Sequence, residues 1–185
     1  SIVCRHKKTK RVLAVGADAK KMLGRVPSSI EVVIPLREGV IADYDITCAM
    51  LSYFMDNINS NLPSRLFPLA PRVVIGVPSN ISKVQRRAVI TAAQKSGIRS
   101  AYLIEEPMAA AIGAGLPVVE PVGSMIVNIG GGTCEIALIS LGGVVAVRSL
   151  KVAGDRMDAD ITNYIRTRWG MIIGEAAAED IKIRL

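Results

Sequence analysis

Val127-Asn128-Ile129-Gly130-Gly131-Gly132-Thr133-Cys134-Glu135-Ile136-Ala137-Leu138 is the stretch whose reading decides the fold. An apolar run from Met125 to Val127 leads through a polar residue into three glycines and a threonine, and a second apolar run begins at once. The pattern predicts a β-hairpin whose turn is nearly all backbone. Glycine accepts positive φ and carries no Cβ, so its amide N–H can approach a phosphate closely. A threonine hydroxyl at the edge can bind phosphate or a metal-bound water. The same letters also describe a plain glycine-rich hairpin turn, and the rest of the chain decides between the two.

Downstream, Val144–Lys151 adds a third strand to a meander with Met125–Asn128 and Thr133–Leu141. Gly154-Asp155 opens a helix with Met157, Ile161, Tyr164 and Ile165 expected on its inner face, and Glu175–Ile183 is a last helix. Upstream, the two prolines and one glycine of Pro117–Gly123 predict a hinge or linker. Before it, Glu106-Pro107 starts a helix with proline in its first turn. The small side chains from Met108 to Gly115 imply a closely packed neighbour. Strands are expected at Val12–Val15, Ile30–Ile34, Arg72–Val77 and Ala101–Ile104, the third as an apolar strand buried on both faces. A short helix over Ala17–Leu23 ends at Gly24. Asp45 is expected to cap a helix whose apolar positions are Ile46, Ala49, Met50, Tyr53, Phe54 and Ile58. Ser82 and Gln85 form a capping box for a helix that ends at Gly97.

Alternating strands and helices, followed by a meander and helices, make an α/β protein with two lobes and a nucleotide cleft between them. Residues 1–116 are assigned to the first lobe and 117–185 to the second. Half the residues are hydrophobic and only 4% aromatic, so the core is aliphatic. No apolar stretch reaches the roughly 18 residues of a transmembrane helix. Ser1–His6 lacks the form of a secretion signal and an initiator Met, so a fragment of a longer protein is expected. Three scattered cysteines, Cys4, Cys48 and Cys134, fit a reducing cytoplasm. The single His6 excludes a His-rich metal site and a Ser-His-Asp triad. The net charge of +7 is read first as a solvated face and then as attraction to anionic lipid. Nucleic acid is not an expected partner, because no aromatic residues interleave with the short basic runs.

Several segments together resemble the actin–hexokinase–heat-shock-chaperone ATPase superfamily, and most closely its MreB-like cell-shape branch. They are Val12–Gly16 with Ala19–Arg25, Gly39–Asp45, Arg72–Ser79, Leu103–Pro117, the Gly130–Thr133 loop, Gly154–Asp158 and Ile173–Ala176, in the family's order over nearly the whole chain. The resemblance implies the actin-like ATPase (ribonuclease-H-like) fold. It places the family's first phosphate loop before Ser1 and more of the cleft after Leu185, so an internal portion is expected.

Residue by residue, the resemblance makes Gly130, Gly131, Gly132 and Thr133 the second phosphate loop, with Thr133 helping to hold the attacking water. Glu106 corresponds to the carboxylate that orients or activates that water, and Asp158 to an acid near the phosphates. Glu179, Asp180, Ile181 and Lys182 correspond to the adenosine-contacting helix. Asn128 departs from the family's Asp beside Mg²⁺. It retains one carbonyl acceptor but loses the charge, and is expected to act on the metal weakly and through water. Retained ATP binding with slowed hydrolysis is the expectation. Leu66-Phe67, in a proline-rich loop between Arg65 and Arg72, resembles the family's membrane-entering loop. The implied cofactors are ATP and Mg²⁺. The implied partners are the chain itself in a filament, the inner membrane surface and cell-wall elongation proteins, at the cytoplasmic face of the cell membrane. The alternatives are a soluble chaperone-type ATPase and a scaffold that binds ATP without hydrolysing it.

Overall fold

A computed structural model describes residues 1–37, 39–60 and 70–185. The chain forms two compact units: Ser1–Val77 with Ile81–Ile104, and Pro78–Asn80 with Glu105–Leu185. Leu66 and Phe67 lie outside the described residues.

The first unit opens with β1 (Val3–His6), β2 (Val12–Val15), α1 (Ala17–Lys21) and β3 (Ile30–Val33). These strands form an antiparallel sheet in the order β2-β1-β3. β1 is hidden in the sequence behind the basic run that starts at Arg5. Its Val3 and Cys4 are buried, while Arg5 stands opposite Glu31 and ion-pairs with it. The Arg5 guanidinium holds the Glu31 carboxyl below its ordinary range. A two-stranded ribbon, β4 (Leu36–Arg37) with β5 (Val40–Ile41), leads into α2 (Tyr44–Ser60).

Asp43, not Asp45, caps α2: its Oδ1 accepts the Ile46 N–H at 3.0 Å, three residues on, the geometry that a cap requires. The expected apolar stripe is only partly inside. Ile46 and Met50 are buried with Thr47 and Met55, whereas Phe54 and Ile58 are exposed.

β6 (Arg72–Val77) pairs with β7 (Ser100–Glu105) in a separate two-stranded sheet. β6 is not buried on both faces: its residues alternate, and Val74 is 68% exposed. Between these strands runs α3 (Lys83–Lys95), whose reciprocal Ser82–Gln85 capping box is complete. Gly97, with φ +84°, stops it. Ala93 of α3 packs with Met55 and Ile98, and Val73 and Ile75 line the same cluster.

In the second unit α4 (Glu106–Gly113) lies on a meander of β8 (Ser124–Ile129), β9 (Cys134–Ser140) and β10 (Gly143–Leu150), ordered β10-β9-β8. The small residues of α4 permit the close approach. Ala111, Ala137 and Ile139 are completely buried together, with Met108, Ile126 and Val147 around them. The division between units therefore falls before α4, at Ile104/Glu105. Residues 117–123 are not a free hinge. Val118 packs on this core, and the carbonyls of Val118 and Glu120 accept the N–H groups of Gly142 and Leu141 at 2.7 and 3.1 Å.

α5 (Gly154–Trp169) and α6 (Glu175–Arg184) pack on each other. Of the inner face expected for α5, Ile161 and Ile165 are half-buried while Met157 and Tyr164 are exposed. No described helix is long and apolar enough to cross a membrane.

The β9–β10 hairpin turns on Leu141-Gly142, with φ of 50° and 75°. A two-residue turn with both φ positive matches the right-handed twist of the flanking strands and favours Asn-Gly. Leucine carries a steric cost there of about 1–2 kcal/mol. Leu141→Asn is expected to stabilise the chain by about 1 kcal/mol, measured as a higher urea midpoint with an unchanged denaturant slope.

Candidate functional site

The Gly130–Thr133 turn joins Ile129 to its register partner Cys134 and is closed by the Gly130 N–H donating to the Thr133 carbonyl at 2.9 Å. None of its three glycines has positive φ, so conformational freedom is not what the turn uses. The absence of a Cβ is. A Cβ on Gly130 would stand 3.3 Å from the Thr133 carbonyl oxygen, and one on Gly131 would stand 3.2 Å from Asp155 Oδ1.

The first turn of α5 fixes which way the loop's peptides face. The N–H groups of Gly154 and Asp155 donate to the carbonyls of Gly130 and Gly131 at 3.0 and 2.8 Å. In a trans peptide the C=O and the following N–H point in opposite directions. With both carbonyls turned to α5, the N–H groups of Gly131 and Gly132 face the other side. Neither has a partner among the described residues, nor does the Thr133 hydroxyl. Two such N–H donors beside a hydroxyl are groups able to bind an anion.

Gly154 is the tightest point of this arrangement. A Cβ there would meet the Gly130 carbonyl oxygen and Lys182 Nζ, each at 3.3 Å. Lys182, expected to contact adenosine, reaches from α6 to the Gly154 carbonyl at 3.1 Å and to Asp158 Oδ2 at 2.8 Å. It thereby ties Asp158 to the start of α5. The other Asp158 oxygen, Oδ1, is buried without a partner. Of the remaining residues on α6, Asp180 pairs with Arg184 at the surface, and Glu179 and Ile181 are half-buried.

A second group of side chains adjoins β8. Glu106 stands in the first turn of α4, where the helix dipole favours an anion. Asn128 Nδ2 donates to Glu106 Oε2 at 3.4 Å. Directly across the hairpin from Asn128 is Glu135, fully buried, whose Oε1 accepts the Ser79 N–H at 3.0 Å. Glu135 Oε2 and the Ser79 hydroxyl are buried with no partner. Burial pushes the Glu135 carboxyl up. The Ser79 N–H opposes that rise, and the charges of Glu106 and Glu105 add to it.

Sequence reading missed Glu135, Ser79 and Asp155. The signal for Glu135 was one carboxylate in the otherwise apolar run from Cys134 to Ile139, which a buried strand tolerates only with a specific partner. The described residues contain no cluster of three His, Cys, Asp or Glu able to hold a metal ion. An apolar cavity of about 230 Å³, lined by residues such as Ile41, Tyr44, Val77 and Val89, belongs to the first unit and contains none of the predicted site residues.

This α/β architecture is actin-like. The crystal structure of MreB5 of Spiroplasma citri bound to ADP superposes with a TM-score of 0.88 at 35% identity, covering 98% of this chain and 53% of that one. The same protein bound to AMPPNP gives 0.86 at 35% identity, covering 98% and 54%. Residues 1–185 match the family described as MreB/Mbl protein, and the chain belongs to that family. The cell shape-determining protein MreB of Escherichia coli (strain K12) is 54% identical over 173 residues, 94% of this chain and 49% of the relative. The cell shape-determining protein Mbl of Bacillus subtilis (strain 168) is 47% identical over 186 residues, 100% of this chain and 54% of the relative. The chain thus spans about half the length of these relatives.

The raised carboxyl of Glu135 has a definite effect on stability. The folded state holds this proton more tightly than the unfolded chain, whose carboxyl titrates near pH 4.3. Below that pH Glu135 carries no ionisation penalty. The penalty grows as pH rises through the folded pKa and is constant above it. Glu135→Gln lacks this penalty, so its stability relative to the wild type is expected to increase with pH above about 4 and then level off. Urea unfolding at a series of pH values tests this, and a difference independent of pH would refute it.

Proposed function

We infer that the chain is the phosphate-loop-bearing portion of an ATP-binding, actin-like cytoskeletal protein of the cell-shape family. The observation that carries this reading is the paired outward orientation of the Gly131 and Gly132 N–H groups. Such a cradle suits the β- and γ-phosphates of a nucleotide, with the Thr133 hydroxyl beside them. The family relationship supports it, as do the ADP and AMPPNP named for the Spiroplasma citri structures.

The nucleotide would contribute the phosphoanhydride that is hydrolysed to ADP and phosphate. The protein's part is positioning and electrostatics, as is usual for phosphoryl transfer. Gly131, Gly132 and Thr133 hold the phosphates, and Glu106 orients water. The first turn of α5, tied to α6 by Lys182, keeps the loop's peptides facing the ligand. Glu179 and Ile181, half-buried on α6, are the proposed nucleoside contacts.

The protein side does not fit a resident Mg²⁺. Glu106 is the one acid that Asn128 contacts by hydrogen bond, and the Asn128 amide is turned toward that acid. Mg²⁺ prefers carboxylate, water and phosphate oxygens in octahedral geometry. No step is assigned to a protein-held metal, and the lost carboxylate at position 128 favours slow turnover.

Filament formation and attachment to the inner face of the cell membrane complete the proposal, with cell-wall synthesis as the process directed. Leu66 and Phe67 would each contribute about 1.5–3 kcal/mol on insertion, and a neighbouring arginine about 1 kcal/mol against anionic lipid. One subunit would bind a membrane weakly, and a filament firmly through its many copies.

The nucleotide site is tested by Gly154→Ala in the full-length protein. Its Cβ meets the Gly130 carbonyl and must shift the loop, so ATP affinity is expected to fall about tenfold or more, equivalent to about 1.4 kcal/mol. Calorimetric titration measures it, and wild-type affinity in this variant would remove the loop from the site. The membrane role is tested by sedimentation with anionic liposomes. ATP-dependent pelleting is expected, and it should be lost when Leu66 and Phe67 are both replaced by Ser. No pelleting under any condition, with ATP still bound, would favour a soluble chaperone-type ATPase.

A further inference from the structure

Asn128 sits at the centre of an acidic corner. Its amide lies 3.4 Å from Glu106 Oε2, and Glu135 is its direct partner across the hairpin. Directly opposed residues of an antiparallel pair share one face of the sheet, so the Asn128 and Glu135 side chains emerge together. Glu135 also feels the charges of Glu106 and Glu105. Neither Glu106 nor Glu135 has an ion-pair partner among the described residues. A carboxylate in place of the Asn128 amide would stand at hydrogen-bond distance from Glu106. Like charges that close repel, and a cation between them relieves the repulsion. The amide has the same shape, no charge, and a donor aimed at Glu106.

We propose that Asn128 is a positioning residue that substitutes for a divalent cation, holding the Glu106 carboxylate in a corner that needs no bound metal. The inference rests on reading Glu106 as the water-orienting carboxylate, but its test uses no nucleotide. Failure of ATP binding would therefore leave this test readable. The corner is predicted to keep its geometry in the empty protein whatever the divalent-ion concentration, and any Mg²⁺ would arrive with the phosphates.

The experiment is thermal unfolding of the nucleotide-free, full-length protein in EDTA and in millimolar MgCl₂, with ionic strength matched by KCl. The wild type is expected to unfold at the same temperature in both. Asn128→Asp is expected to unfold several degrees lower in EDTA and to recover most of the loss in Mg²⁺. Asn128→Ala, which loses the donor but adds no charge, is expected to lose stability without recovery. A purely structural asparagine would give no cation rescue. If Asn128→Asp does not fold in EDTA, a Mg²⁺ titration that restores the far-ultraviolet circular dichroism of the folded wild type reports the same rescue. Stabilisation of the wild type by Mg²⁺ as large as that of Asn128→Asp would overturn the proposal, as would an Asn128→Asp variant indifferent to Mg²⁺.

Discussion

Two backbone hydrogen bonds, from the N–H groups of Gly154 and Asp155 to the carbonyls of Gly130 and Gly131, govern the candidate site. A glycine turn has no side chains with which to hold itself. Its peptides take their orientation from whatever binds their carbonyls, and here that is the first turn of α5. Helix N-terminal N–H groups lack partners within their own helix. At α5 two of them are satisfied by the turn, and the turn in exchange presents two N–H groups outward. Helix and loop therefore work as one element. The steric limit at Gly154 follows from how closely the two backbones meet, and that at Gly131 from the Asp155 side chain.

The same unit shows how little side-chain chemistry is needed to support such a loop. Ala111, Ala137 and Ile139 let α4 lie close on β9, which brings Glu106 to the neighbouring Asn128 on β8. Lys182 performs the corresponding service for α5, joining its first turn to α6 through the Gly154 carbonyl and Asp158. Asp158, matched by resemblance to an acid near the phosphates, is in this structure the ion-pair partner of that lysine. The pair is partly buried, so its contribution here is the geometry of the two contacts.

Features written in short-range signals were legible in the sequence. The glycine-turned hairpin, the meander, the Ser82–Gln85 box, the Pro107 helix start and the Gly97 stop all depend on residues a few positions apart. Features set by distant partners were not. β1 shows only when Arg5 is matched with Glu31, 26 residues away. Asp43 and Asp45 are both plausible caps until the first helical residue is known. The supposed hinge at 117–123 has a hinge's composition, yet its carbonyls are bound by the β9–β10 turn. Glu135 carried a signal, a lone acid in an apolar strand, but its partner Ser79 is 56 residues away. Of the two properties of glycine expected to matter in the turn, the missing Cβ counts at Gly130 and Gly131 and positive φ does not.

The 56 residues between Ser79 and Glu135 bear on how readily the chain assembles. Hairpins and neighbouring helices close over short stretches, and chains dominated by such contacts fold quickly. Residues 105–185 are of this kind, with β8, β9 and β10 consecutive and α5 beside α6. Pro78–Asn80 is different: it belongs to the second unit although both its flanks lie in the first. Closing the loop between Ser79 and Glu135 carries an entropic cost that local pairing avoids. Loop-closure entropy therefore favours pairing of the meander ahead of this contact, and the Ser79 N–H, the hydrogen-bond partner given for Glu135 among the described residues, comes only with the costlier closure.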